Sequence, residues 1–133
     1  MESKYYLIIF ALILYASYIP LNKRKSRYFW KSKLDFRIPY LSFFIIPYQF
    51  FFIFVAATFL LLWNSPFLTS FLLSTIIAEL ISIIVWFLFP NGVPRTEREE
   101  GGLLSKLVNF TYKHDKDTNG FPSGHVFNSL ICS

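Results

Sequence analysis

From Ile38 to Ala78 the chain carries no charged side chain, a run of 41 residues. As helix it would extend roughly 60 Å, about twice the hydrocarbon core of a bilayer, so two crossings are expected. The break belongs at Trp63-Asn64-Ser65-Pro66, where an interfacial aromatic, two turn formers and a proline suited to a helix's first turn fall together. Helix two is expected from about residue 40 to Trp63, and helix three from Pro66 to Phe89. Pro47 either kinks helix two or marks residues 38 to 46 as an interfacial stretch before the span proper, and the second reading is favoured. Glu79 falls inside helix three, where a carboxylate is expensive and turns towards protein. It is either a polar contact near a site or a hydrogen-bonded packing residue.

A further uncharged segment, Tyr5 to Leu21, covers 17 residues and reads as the first crossing. It is too long and too aromatic for a signal peptide, and no small-residue cleavage site follows it. The whole chain is 54% hydrophobic and 21% aromatic, more apolar surface than 133 residues can hide in a water-soluble domain. The single cysteine, Cys132, forms no internal disulfide. Although the formal charge is +5, seven of the 13 basic residues lie between Lys23 and Arg37, beside a membrane segment. Beyond Phe89 basic and acidic side chains balance. That distribution is juxtamembrane charge and argues against a nucleic-acid partner.

Phe89-Pro90-Asn91-Gly92 stops helix three, and a polar loop of residues 90 to 125 follows. Within it, Leu103 to Tyr112 has apolar side chains spaced for a short surface helix. Residues 126 to 133 turn apolar again, as the start of a fourth membrane helix, and the expectation is that the sequence is a fragment of a longer chain. The fold class expected is all-α: a polytopic membrane helical bundle of three transmembrane helices plus the start of a fourth.

The chemistry is concentrated in Asp117-Thr118-Asn119-Gly120-Phe121-Pro122-Ser123-Gly124-His125. Pro122 fixes the approach, and Ser123 and Gly124 bring a hydroxyl and unhindered backbone donors close to an anion. A loop running into a helix here offers free N–H groups and the positive end of the helix dipole. His125 beside that recess has the pKa range to give a proton to a leaving oxygen near neutral pH. Arg95, a few residues beyond helix three, is the side chain type best matched to bidentate phosphate binding, although a lone arginine there is more often a solvated charge. His114, Asp115 and Asp117 are ligand types but lack a fourth partner at motif spacing, so no metal site is expected.

Phe121-Pro122-Ser123-Gly124-His125, preceded by Asp115-Lys116-Asp117-Thr118-Asn119, resembles the second signature of the type 2 phosphatidic acid phosphatase superfamily. Phe89-Pro90-Asn91-Gly92-Val93-Pro94-Arg95 resembles the variant first signature of its membrane-bound members. The resemblance implies that this is the N-terminal part of a six-helix lipid-phosphatase-like fold working without metal or cofactor. It also implies that Arg95, Ser123 and Gly124 hold phosphate and that His125 is catalytic, protonating the leaving group. Two positions depart from the pattern: Leu88 stands where the first signature has lysine, and Thr96 where it has proline. The family's nucleophilic histidine belongs to a third signature, Ser-Arg followed by His and Asp, which these 133 residues do not contain.

The function expected is therefore a phosphatase of a phosphorylated membrane lipid similar to phosphatidic acid, acting through a phosphohistidine and lacking here the nucleophile. Alternatives are a non-catalytic remnant or phosphate-headgroup binder, and a lipid phosphotransferase resembling inositol phosphorylceramide synthase. A three-helix transporter or assembly subunit fits the hydropathy but leaves residues 117 to 125 unexplained. The positive-inside rule puts residues 23 to 37, and with them the loop after Phe89, in the cytoplasm. The family pattern places both signatures outside, and the expectation adopted is a plasma-membrane protein with an extracytoplasmic active-site loop.

Overall fold

The computed structural model describes residues 3–30, 37, 41–93 and 101–133. The chain is mostly helical: α1 (Ser3–Asn22), α2 (Ile45–Leu62), α3 (Leu68–Leu88), α4 (Leu103–His114) and α5 (Gly124–Cys132). Three stretches, Lys4–Asn22, Ser42–Leu62 and Leu68–Leu88, are long and apolar enough to cross a membrane. Their outward faces bear large apolar side chains, among them Phe10, Leu12 and Ile13 on α1, Phe50, Ile53 and Leu61 on α2, and Ile77, Ile84 and Phe87 on α3. Water would penalise such continuous apolar faces and lipid does not, which is consistent with an integral membrane protein.

Pro47 explains where α2 begins. A single 3₁₀ turn, Ser42–Phe44, precedes the helix, and Ile45 opens it. Pro47 thus falls in the first turn, where a backbone N–H has no intrahelical acceptor to lose. The expected start near residue 40 is corrected to Ile45. The break between α2 and α3 lies at the predicted Trp63-Asn64-Ser65-Pro66. There Ser65 Oγ accepts from the Phe67 amide at 3.2 Å, and α3 starts at Leu68.

α3 is the most buried of the three spans. Its covered stripe, Leu68, Leu72, Ile76, Glu79, Ser82 and Trp86, recurs every three or four residues, one face of a helix. α1 packs along α3, and α5 packs against both α2 and α3. α5 begins at Gly124, two residues before the predicted helical start, so Gly124 and His125 belong to a helix rather than to the loop. α4 extends past Tyr112 to His114. The all-α expectation misses one short feature, a parallel pair of two-residue strands, β1 (Tyr28–Phe29) and β2 (Asn91–Gly92). It is extended by an antiparallel bridge from Gly92 to Thr118. This ladder ties the segment after α1 to the segment after α3 and to the loop that carries the motif.

Candidate functional site

Asn91 holds the motif loop in place. Only 1% exposed, it uses both ends of its amide: Oδ1 accepts from the Phe121 N–H at 2.7 Å, and Nδ2 donates to the carbonyls of Phe121 at 2.7 Å and Phe89 at 3.0 Å. Its own carbonyl accepts from the Asn119 amide at 2.8 Å, and the Val93 amide donates to the Asp117 carbonyl at 2.9 Å. Asn119 takes a positive φ of 57°, a conformation asparagine tolerates better than most residues. The Phe121–Pro122 peptide is cis.

The loop delivers Ser123 as the N-cap of α5, in extended conformation and with no cap hydrogen bond from its side chain. The amides of Val126 and Phe127 both donate to the Ser123 carbonyl. The Gly124 and His125 amides, two residues nearer the helix start, have no intrahelical acceptor, as first-turn amides do not. The Ser123 hydroxyl, these amides and the positive end of α5 therefore lie together.

His125 sits in an aromatic box. Tyr48 stacks on its ring at 4.0 Å between centroids and 18° between planes, Phe51 leans against it at 4.3 Å, and Phe52 meets it edge-on at 5.6 Å. Its Nε2 is buried and has no hydrogen-bond partner. Burial pushes the His125 pKa below its ordinary value, and the negative charge of Asp115 opposes that shift. Asp115 is gripped from two spans: Tyr18 of α1 donates to Oδ1 at 2.8 Å, Asn22 to the same oxygen at 3.3 Å, and Tyr48 of α2 to Oδ2 at 3.1 Å. Tyr48 thus touches both the acid and the histidine.

These groups border an open cavity of about 1130 Å³, which Ser123, Gly124, His125, Tyr48, Asp115 and Glu79 help to line. Its lining mixes these groups with the aromatic side chains of Phe44, Phe51, Phe52 and Trp86. Glu79 is 4% exposed and within hydrogen-bonding reach of Asn128, so it is a partnered packing residue that also borders the cavity.

Of the residues expected at the site, the structure brings Ser123, Gly124 and His125 together, whereas Arg95 lies outside the described residues. His114 is exposed at the end of α4, its Nδ1 2.9 Å from the Phe110 carbonyl, and it borders the same cavity as His125. Among the described residues no three His, Cys, Asp or Glu side chains converge as a metal site. Sequence reasoning missed Tyr18, Asn22, Tyr48 and the clamp role of Asn91, and weighed Asp115 only as a motif flank and a metal ligand. One signal was present: Tyr48-Gln49 is a polar pair inside the charge-free run. Gln49 makes good on it by donating to Thr111 Oγ1 at 2.7 Å, which docks α4 on α2.

Fold and site together define a helical chain with three membrane-length spans and an open cavity bordered by Ser123, Gly124 and His125. No family model, curated protein or solved structure matches the chain.

Proposed function

We propose that the chain is an integral membrane protein that binds the phosphate of a phosphatidic acid-like lipid and supplies the proton-donating half of a phosphohistidine phosphatase. The observation that carries this reading is His125, in the first turn of α5 directly after Ser123 and Gly124, with its Nε2 buried and unpartnered and the residue bordering a cavity of mixed polar and aromatic lining. Buried polar atoms are nearly always partnered, so an orphan bordering a cavity calls for a ligand. The resemblance of residues 89–95 and 115–125 to lipid phosphatase signatures supports the same chemistry.

In the proposed reaction Ser123, Gly124 and Arg95 hold the phosphate oxygens. A histidine that these 133 residues do not contain attacks phosphorus; its N–P bond forms as the P–O bond to the lipid alcohol breaks. His125 gives its proton to that leaving oxygen, then takes one from the water that hydrolyses the phosphohistidine. The neutral ring favoured by burial does not preclude the role, because a phosphate dianion beside Nε2 favours the protonated form. We assign the loop to the outer face of the plasma membrane, following the family pattern.

The test is phosphate release from phosphatidic acid and diacylglycerol pyrophosphate in detergent. It compares this chain, a version carrying the reading frame that follows Ser133, and that version with His125→Ala. Activity in the extended protein, reduced at least about a hundredfold by His125→Ala, is the expected result. Intact cells expressing it should hydrolyse short-chain phosphatidic acid added outside. Silence of the extended protein would move the assignment to a non-catalytic headgroup binder.

A further inference from the structure

Next to the main cavity lies a smaller recess of about 340 Å³, bordered by Lys23, Arg24, Lys25, Ser26, Phe29, Lys116, Asp117 and Thr118. Four of these side chains are cations and one is a carboxylate. Lys23, Lys116, Asp117 and Thr118 also border the main cavity, so the two share a wall.

The backbone forces the cations together. Arg27 and Tyr28 both donate their amides to the Pro90 carbonyl, at 2.7 and 3.0 Å, and Ser26 Oγ donates to the Asn91 carbonyl at 3.2 Å. Thr118 Oγ1 bonds to Asn22, joining the end of α1 to the motif loop from the other side. Gly92 lies at the crossing of these segments. A Cβ there would fall 2.5 Å from both the Asp117 carbonyl oxygen and Ser26 Oγ, so only glycine lets residues 26 and 117 approach. Lys23, Arg24 and Lys25 follow one another and Lys116 comes from another loop, so like charges gather and repel at the recess. An anion between them relieves that repulsion.

The recess also lies at a definite height. It begins where α1 ends, and Arg24 reaches the end of α3, donating to the Phe87 carbonyl at 3.1 Å and lying over the Phe87 ring. In a protein whose α1 and α3 cross the bilayer, the ends of those helices lie at the plane of the lipid phosphates.

We propose that this recess is a second binding site, distinct from the one at His125, for the phosphate of an anionic lipid headgroup. It rests on the membrane assignment and not on catalysis.

The experiment measures binding of dioctanoyl phosphatidic acid to the full chain in a neutral detergent, with dioctanoyl phosphatidylcholine and inorganic phosphate as comparison probes. The variants are Lys23→Gln/Lys25→Gln, the charge-keeping Lys23→Arg/Lys25→Arg, and His125→Ala. Lys23 and Lys25 are exposed, and size-exclusion profiles check that each variant stays folded. The proposal expects binding of phosphatidic acid that survives His125→Ala and is weakened by added salt. It expects roughly thirtyfold weaker binding in the Gln pair and near-normal binding in the Arg pair. Competition by millimolar inorganic phosphate would assign the affinity to the phosphate alone, and its failure would assign it to phosphate plus lipid; both keep the site. Unchanged affinity in the Gln pair, equal binding of phosphatidylcholine, or loss of all binding in His125→Ala would overturn it.

Discussion

Asn91→Ala is the sharpest test of how the motif loop is held. The substitution deletes three hydrogen bonds at once: the Phe121 amide to Oδ1, and Nδ2 to the carbonyls of Phe121 and Phe89. Asn91 is 1% exposed, so no water replaces the lost amide without rearrangement. At about 1 kcal/mol for each bond, the closed loop loses about 3 kcal/mol relative to an open one, roughly a 150-fold change in the opening equilibrium. The Phe121 amide reads this directly, because Oδ1 of Asn91 is its acceptor. In hydrogen exchange of the detergent-solubilised protein it should exchange about two orders of magnitude faster in Asn91→Ala, with the α3 amides little affected. Asn91→Asp keeps the acceptor but loses both donated bonds, and should fall between. A Phe121 amide that exchanges within about threefold of the native rate in Asn91→Ala would refute the clamp, because that rate follows the bond being removed.

Two further outcomes follow from the surroundings of His125. Tyr48→Phe keeps the ring stacked on His125 but removes the donor to Asp115 Oδ2, while Tyr48→Ala removes both. A hydrogen bond to a charged group is worth about 1.5 to 3 kcal/mol, so the Phe variant should melt roughly 5–10 °C lower and the Ala variant lower still. Equal melting of the native protein and Tyr48→Phe would remove Tyr48 from the Asp115 grip. The pH dependence has a fixed sign. The folded pKa of His125 lies below its unfolded value of about 6.5, so below that pH the unfolded chain binds the extra proton first. The stability His125 contributes is therefore present above about pH 6.5 and lost as pH falls through the folded value. Melting curves between about pH 8 and pH 5 should show a decline that His125→Gln flattens, and an unchanged decline in that variant would refute the assigned burial.

The spans were legible because desolvation leaves a one-dimensional mark: Ile38 to Ala78 has no charge, and one polar break divides it. Pro47 was legible in kind, since a proline in a helix is either a kink or a beginning, and its place in the first turn decides for a beginning. The recess at Ser123-Gly124-His125 was legible for a related reason. Its parts are consecutive, so the chemistry of a loop running into a helix is written locally. The support for that recess is not local. Tyr18, Asn22, Tyr48 and Asn91 come from segments 24 to 97 residues away from Asp115, and each looks ordinary where it stands. An asparagine after Phe89-Pro90 reads as a turn former, and only the fold shows its amide pairing with Phe121 across 30 residues. The short β1–β2 pair was hidden similarly, because two residues carry no periodicity.

The grip on Asp115 gives the arrangement its logic. A carboxylate near a half-buried histidine would ordinarily hold that histidine charged at rest. Here Tyr18, Asn22 and Tyr48 direct three donors at the two oxygens of Asp115, which spreads its charge before the charge reaches the ring. Burial among Tyr48, Phe51 and Phe52 then prevails, and the resting imidazole is favoured in its neutral form. In the proposed mechanism an anion arriving at the Gly124 and His125 amides reverses that balance, because it adds a negative charge next to a histidine whose Nε2 has no partner. In the proposed mechanism the phosphate thus supplies the electrostatic work that charges the acid, and the empty site holds no proton ready to be lost to water. Tyr48 is central to this reasoning: it masks Asp115 with its hydroxyl and desolvates His125 with its ring. A polar side chain placed near the start of α2 inside an otherwise apolar span is accounted for by that double contact.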